Sequence, residues 1–388
     1  MREHSRPLAV FSSAHFLVDL CCIFLETAYI LSLVKDRTAW LWCVLVYNFF
    51  AFACQLPAGI FGDRQKKPWL LAGTGCILVA ASYLITAVCL KTGVVFFPGS
   101  APEPAPPSAF AAAPLAQLLL VSAVAGIGNS CFHVGGGIDL LKRSKGSAAM
   151  PGVFVSTGAF GVWLGPVLAA KQQARTFGLL FGCILMLFTG LVLIQMHLTR
   201  QAWEPGGEEE QKTSEHFNIH IADPSFAAAL CLVTAVLFRS YAGTIMRYGW
   251  KKAGVAFLFT AGVVFGKMLG GIVGDRAGWR RTAVVSLAVS GLLFLFAEKN
   301  AACGIAAVFF FNMTMPLTLT ALAKLYRGRE GMAFGLTTLA LFLGTLPSMA
   351  ESAGFLFSGS SHLLAPVCIV SLALMAAGLK GEKQEAEA

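Results

Sequence analysis

The sequence predicts an all-α membrane protein whose twelve transmembrane helices form two six-helix halves. Of its 388 residues, 56% are hydrophobic and only 13% are charged, and the mean hydropathy is +0.71. Soluble domains carry about 25% charged residues, so a soluble class does not fit. Long apolar segments recur along the whole chain, and one loop sequence occurs twice. Together these observations predict a polytopic protein built from two related halves.

Charge and cysteine usage exclude several other classes. The net charge of +9 comes from basic residues in short loops, which indicates membrane topology and not a nucleic-acid partner. The eleven Cys residues lie mostly singly inside apolar segments, with no CxxC pair and no Cys/His ligand spacing. The sequence therefore predicts no disulfide framework, no metal and no cofactor.

Twelve apolar segments are long enough to cross a bilayer. They lie at about residues 8–34, 40–62, 69–90, 114–138, 148–170, 175–198, 222–246, 253–274, 280–298, 302–324, 330–354 and 362–380. The longest charged stretch separates the sixth from the seventh segment. It predicts an N-terminal half at 1–198, a cytoplasmic central loop at 199–221 and a C-terminal half at 222–388. A stretch rich in Pro and Ala at 98–108 predicts an extended external loop.

The basic residues of the loops predict the orientation. They fall on alternate sides of the membrane with a bias of roughly two to one. The positive-inside rule then places both termini and the central loop in the cytoplasm. We expect a multi-pass, monomeric protein in the lipid bilayer of a bacterial cytoplasmic (inner) membrane.

The first helix carries a stripe of ionisable residues. His15, Asp19 and Glu26 fall within an arc of roughly 40° on a helix that turns about 100° per residue. Each such group costs roughly 2.5–3.5 kcal/mol to insert into a bilayer, so the stripe must face protein or water. It indicates a substrate or proton pathway, and the alternative is a buried polar network that fixes helix register.

A repeated loop sequence marks the two halves. After the second segment the chain reads G-I-F-G-D-R-Q-K-K from Gly59, and after the eighth it reads G-I-V-G-D-R-A-G-W-R-R from Gly271. Two related halves with the site between them are the layout of a secondary transporter.

The doubled loop resembles the cytoplasmic loop signature of the major facilitator superfamily. The C-terminal copy is nearly complete, whereas Lys66 stands where the family usually has Gly. Asp63 and Asp275 can sit at helix N-termini, where a carboxylate gains roughly 0.3–1 kcal/mol. The resemblance implies a gate, across which Arg64 and Arg276 hold acidic partners.

The fifth helix carries small residues at a second recognisable spacing. Gly152, Gly161, Gly165 and Pro166 form G-x8-G-x3-G-P, which resembles the antiporter motif of drug/proton exchangers in the superfamily. We expect this face to seal one half against the other and to prevent proton leak. The alternative is an ordinary small-residue packing face.

A narrower resemblance covers most of the chain. The sequence is similar to the fosmidomycin-resistance group of efflux transporters. The stretches that carry this similarity are A-H-F-L-V-D-L in the first helix, G-I-G-N-S-C-F-H ending at His133, Arg239 in the seventh helix, and R-G-R-E-G-M-A-F-G-L from Arg327. That group continues with Pro and Glu after the second histidine, whereas Val134 and Gly135 follow here.

The resemblance implies which interior residues meet. In superfamily members the first and fourth helices line the cavity, so His15, Asp19 and His133 are expected to form an inner cluster, with Asn129 adding a polar contact. The first and seventh helices face each other, so Glu26 and Arg239 are expected to form an outer gate or substrate contact. Lys267 lies beside the second loop signature, where its side chain could snorkel to the interface.

These features predict a proton-coupled exporter that exchanges protons for a small organic compound by alternating access, as in antibiotic resistance by efflux. A proton symporter for uptake of a small metabolite is the alternative. An intramembrane enzyme using His15, Asp19 and His133 is remote, since HExxH, GxSxG and CxxC motifs are missing and the paired loops would have no purpose. We therefore predict no enzymatic activity.

Overall fold

The computed structural model describes residues 2–34, 36–65, 67–91, 112–200, 224–354 and 360–380. In these ranges it contains helices and turns and no strand. The predicted segment 98–108, Lys66 and all but the first two residues of the predicted central loop lie outside the described residues. Within these ranges the prediction of an all-α protein with twelve helical segments is confirmed.

Six helices form the N-terminal half. They are α1 (Arg2–Leu25, continued by a π-helical turn at Glu26–Ile30), α2 (Arg37–Asn48, a π-helical turn at Phe49–Ala53, and Gln55–Asp63), α3 (Leu70–Lys91), α4 (Ala112–Ser144), α5 (Ala149–Ala169) and α6 (Gln172–Arg200).

Six helices form the C-terminal half. They are α7 (Pro224–Ile245), α8 (Ala253–Ala277), α9 (Trp279–Phe294), α10 (Ala301–Asn312 and Thr314–Leu325), α11 (Glu330–Ser352) and α12 (a 3₁₀ turn at Ser361–Leu363 and Leu364–Gly378). Across the described ranges, eleven of the twelve are long and apolar enough to span a membrane, and α9 has only 16 residues.

Prolines account for two of the interruptions. A proline has no N–H, so it leaves the carbonyl four residues earlier without its helical partner. Pro316 frees the carbonyl of Asn312, where α10 is broken at Met313. Pro57 frees the carbonyl of Ala53, where the π-helical turn of α2 ends.

The helices pack mainly within their own half. In the N-terminal half α1 lies along α5, and α3 lies against α4 and α6; in the C-terminal half α7 lies against α11 and α12. Two pairings join the halves extensively, α5 with α8 and α2 with α11.

The outer surface is apolar, as a bilayer requires. On α6, Phe177, Phe181 and Phe188 expose more than 60% of their side chains. Their spacing of four and seven residues places them on one stripe of the helix. Large apolar groups at such exposure are favourable only in contact with lipid.

Candidate functional site

Four side chains from α1 and α4 meet in the interior of the N-terminal half. His15 Nε2 lies 3.2 Å from Asp19 Oδ2, and His133 Nε2 lies 3.6 Å from Asp19 Oδ1. Asn129 Nδ2 donates to Asp19 Oδ1 at 3.0 Å. We name His15, Asp19, Asn129 and His133 the interior cluster. The structure thus brings together the three residues expected to form an inner cluster, and Asn129 adds the expected polar contact.

The backbone fixes the tautomer of both histidines. His15 Nδ1–H donates to the carbonyl of Phe154 at 2.7 Å, and His133 Nδ1–H donates to the carbonyl of Asn129 at 2.8 Å. A carbonyl oxygen only accepts, so in each neutral ring the lone pair is on Nε2. The two Nε2 atoms nevertheless lie 2.8 Å apart, beside the carboxylate of Asp19. Two facing lone pairs repel, and one proton between them converts the repulsion into a hydrogen bond.

A metal ion fits this geometry less well than a proton. The ligand atoms of His15, Asp19 and His133 lie within 4.8 Å of one another, which is a possible donor set for a metal. Two nitrogens bound tetrahedrally at about 2.0–2.1 Å from one ion lie about 3.3 Å apart. The observed Nε2 separation of 2.8 Å is a hydrogen-bond distance. The cluster is therefore suited to hold one proton.

An apolar shell surrounds the cluster. The ring of Phe154 lies 4.7 Å from that of His15, and the fully buried Phe132 lies 6.1 Å from it. His15 and His133 themselves expose 5% and 9% of their surface. Asp19 is less buried, with 14% of its side chain exposed, so the shell is incomplete at the carboxylate. Phe154 is not among the residues singled out from the sequence, because its contribution is a backbone carbonyl and a packing face.

Glycines of α5 make room for the cluster. Gly158, Gly161 and Gly165 lie on the face of α5 that packs on α1. A Cβ at Gly158 would overlap the carboxylate of Asp19 and the ring of His15. Gly158 is absent from the motif identified in the sequence, although its spacing of three and seven residues from the other two places it on the same stripe.

The predicted sealing role of this motif needs correction. Gly161 and Gly165 pack against the backbone of α1 inside the N-terminal half, and not against the other half. Only Gly152 meets the C-terminal half, where a Cβ would lie 2.9 Å from the carbonyl of Lys267. Pro166 lies inside α5, near its end. The motif therefore shapes the α1–α5 contact, as the small-residue alternative predicts.

Glu26 and Arg239 do not form the expected outer pair. Glu26 is buried, and its Oε2 accepts from Ser122 Oγ on α4 at 3.1 Å. Arg239 is buried too, and its Nη1 donates to Thr318 Oγ1 on α10 at 3.3 Å. Each side chain thus finds its partner within its own half. Among the described residues no ion pair joins the two.

Lys267 points into the protein interior. Its Nζ donates to the carbonyl of Val155 on α5 at 3.3 Å, across the contact between the halves. The ammonium group interacts electrostatically with both Arg239 and Asp19. Lys267 therefore bonds at the contact between the halves, whereas the sequence also allowed its side chain to snorkel to the interface. Position alone could not decide this, because a lysine stem reaches either way from one helix face.

The carboxylate of the first loop signature joins the halves. Asp63, the last residue of α2, accepts from the backbone N–H groups of Gly331 and Met332 at 2.7 and 2.8 Å. These N–H groups belong to the first turn of α11, where helix N–H groups lack intrahelical partners. We use the name signature face for the side of the protein on which α2 and α8 end.

The second signature repeats the arrangement. Asp275 near the end of α8 accepts from the N–H groups of Ala148 and Ala149 at 2.9 and 3.0 Å, at the N-terminus of α5. Ser147 Oγ donates to the same carboxylate at 2.6 Å. Each half therefore caps a helix of the other half on the signature face.

Glycines allow the close approach at both signatures. A Cβ at Gly59 would overlap the carbonyl of Gly331, and one at Gly271 would overlap that of Ala148. Arg64 is exposed. Within the described ranges no ion pair joins it or Arg276 to an acidic residue, so the acidic partners expected for these arginines are not in place.

Comparison with known proteins identifies the architecture. Neither protein-family models nor curated protein sequences give a match. Among solved structures, the major facilitator superfamily transporter FucP in its outward conformation aligns at a TM-score of 0.60 and 13% identity, covering 96% of this chain and 98% of FucP. A bacterial homologue of the iron transporter ferroportin, outward-facing, aligns at 0.63 and 14%, covering 98% and 99%. The human organic anion transporter MFSD10 aligns at 0.60 and 14%, covering 96% and 99%. The chain therefore has the fold of the major facilitator superfamily.

Proposed function

We propose that this chain is a proton-coupled secondary active transporter that moves a small organic compound by alternating access. The single observation that carries the proposal is the convergence of two imidazole Nε2 atoms and one carboxylate in the membrane interior. Inserting such ionisable groups into a bilayer is unfavourable, which indicates that they have a function, and the geometry of the cluster suits one proton. An imidazole changes charge in the physiological pH range, which a coupling group requires.

The signature face supplies the gate of this proposal. Asp63 and Asp275 hold α11 and α5 across the two halves, so this face is closed in the structure. Alternating access requires these bonds to break while the opposite face closes. With the signature face on the cytoplasmic side, as loop charge favours, the closed gate faces the cytoplasm.

Two directions of coupling follow from different observations. Export in exchange for protons is favoured by the resemblance of α5 to the antiporter motif, although Gly161 and Gly165 pack within one half. Uptake together with protons is the second candidate, and the electrostatic interaction between Lys267 and Asp19 favours it. A proton on the interior cluster cancels negative charge near that ammonium, which then attracts a negatively charged solute more strongly.

Transport in proteoliposomes under an imposed pH gradient tests the proposal. A panel of labelled small compounds is offered under gradients of both polarities. We expect at least one compound to accumulate against its own gradient only when the pH gradient is present, with the required polarity giving the direction. Asp19→Asn should abolish the accumulation. Asp139→Asn, which changes a carboxylate held by Arg143 away from the cluster, is the matched control and should preserve it. Accumulation that is equal with and without the gradient would contradict proton coupling.

A further inference from the structure

Arg239 and Lys267, two cations of the C-terminal half, have no anionic partner among the described residues. Arg239 on α7 exposes 7% of its surface and makes one hydrogen bond, to Thr318 at 3.3 Å. Lys267 on α8 makes one hydrogen bond, to the carbonyl of Val155 at 3.3 Å. Across the parts of the chain that the structure describes, no carboxylate lies within ion-pair distance of either.

The donors of these side chains are largely unused. A guanidinium group carries five N–H donors in a planar fork and an ammonium group carries three. One long contact each therefore leaves most of both groups unsatisfied. Arg239 is buried and Lys267 is half-buried, and a charge removed from water is stabilised by an opposite charge beside it.

The carboxylate that interacts with Lys267 is already occupied. Asp19 interacts electrostatically with Lys267, but its oxygens are already engaged by His15, His133 and Asn129. Glu26 lies in the N-terminal half, where it accepts a hydrogen bond from Ser122. Positive charge is thus in excess near the contact of α8 with α5, and no described residue supplies the opposite charge.

We propose that Arg239 and Lys267 bind the oxyanion of the transported compound. A carboxylate, phosphate or phosphonate offers two or more oxygens, of which one pair can match the guanidinium fork while another oxygen reaches the ammonium. The inference rests on the proposed function, because it takes the bound compound to be the one that crosses the membrane. A proton on the interior cluster strengthens this binding, so anion and proton bind together, as in the uptake candidate.

A binding panel of matched compounds tests the charge requirement. The purified protein in lipid nanodiscs is heated with small carboxylic and phosphonic acids, each paired with the neutral amide or ester and the amine of the same skeleton. We expect acids to raise the melting temperature and their neutral and cationic counterparts not to do so. Comparing carboxylic with phosphonic acids shows which oxyanion the site prefers.

Variants locate the site. Arg239→Gln and Lys267→Gln should each weaken acid binding by about tenfold or more, which corresponds to at least one charge-assisted hydrogen bond. Arg239→Lys and Lys267→Arg keep the charge and should keep part of the affinity, which separates lost binding from lost folding. Arg247→Gln is the matched control, because Arg247 pairs with Glu351 outside the site.

Several outcomes would overturn the inference: no acid binds, amides or amines bind as well as acids, or both glutamine variants bind like the wild-type protein. Different results would contradict the anion site and the proposed function. If a pH gradient drives only neutral or cationic compounds, the anion site is wrong and proton-coupled transport stands. If acids bind through Arg239 and Lys267 but no gradient moves them, the site stands and the proposed function fails.

Discussion

Replacing Asp63 with Ala should open the signature face. The carboxylate accepts two backbone hydrogen bonds from the N-terminus of α11, at 2.7 and 2.8 Å. Hydrogen bonds to a charged group contribute about 1.5–3 kcal/mol each, and the half-buried position of Asp63 argues for the lower value. Losing both hydrogen bonds therefore destabilises the closed state by about 3 kcal/mol, which shifts the equilibrium towards the open state by about a hundredfold.

Distances between spin labels measure this shift. Labels at Lys142 and Arg281, on exposed ends of α4 and α9, report the separation of the halves on the signature face in a background without other cysteines. Asp63→Ala should transfer population from the short to the long distance. Asp36→Ala is the matched control, because Asp36 also caps a helix, through Ala39, but within one half. Identical distance distributions for Asp63→Ala and the wild-type protein would refute the gate.

Two further predictions concern the interior. Gly158→Ala should lower the free energy of unfolding by about 1–3 kcal/mol, because its Cβ would overlap Asp19 and His15. Gly243→Ala on α7, where a Cβ would have nothing within 4 Å, should be neutral or stabilising by up to about 1 kcal/mol. Thermal unfolding in detergent measures both, and equal effects would contradict the overlap at Gly158. Glu26→Gln and Arg239→Gln should have additive effects on stability, because each side chain has its own partner. A double-mutant cycle should give a coupling energy below about 0.5 kcal/mol, and a larger coupling would show that the two groups pair.

Much of the architecture could be predicted from the sequence because lipid constrains it. A spanning helix needs about 20 apolar residues, so the twelve segments are visible in composition alone. Segment nine is predicted at 280–298, but the helix ends at Phe294, and turns complete the crossing. Hydropathy cannot distinguish apolar helix from apolar turn.

The site was partly predictable for a related reason. Ionisable residues in apolar segments stand out, so His15, Asp19 and His133 were identifiable, and helix pairing in the fold brings them together. Which residue joins which is decided by packing that a single sequence does not show. Glu26 takes Ser122 as its partner, and Lys267 turns inward to Val155, since both partners come from distant helices.

The protonation state of His15 and His133 decides whether the interior cluster carries a proton. Nitrogen-15 NMR of histidine-labelled protein in nanodiscs distinguishes protonated from unprotonated ring nitrogens, and His15→Gln and His133→Gln assign the signals. We expect protonated Nδ1 atoms in both rings and one further proton shared between the two Nε2 atoms. In Asp19→Asn this shared proton should be lost, because the neighbouring carboxylate is removed. Two Nε2 atoms that both stay unprotonated over the whole pH range in which the protein is folded would contradict it.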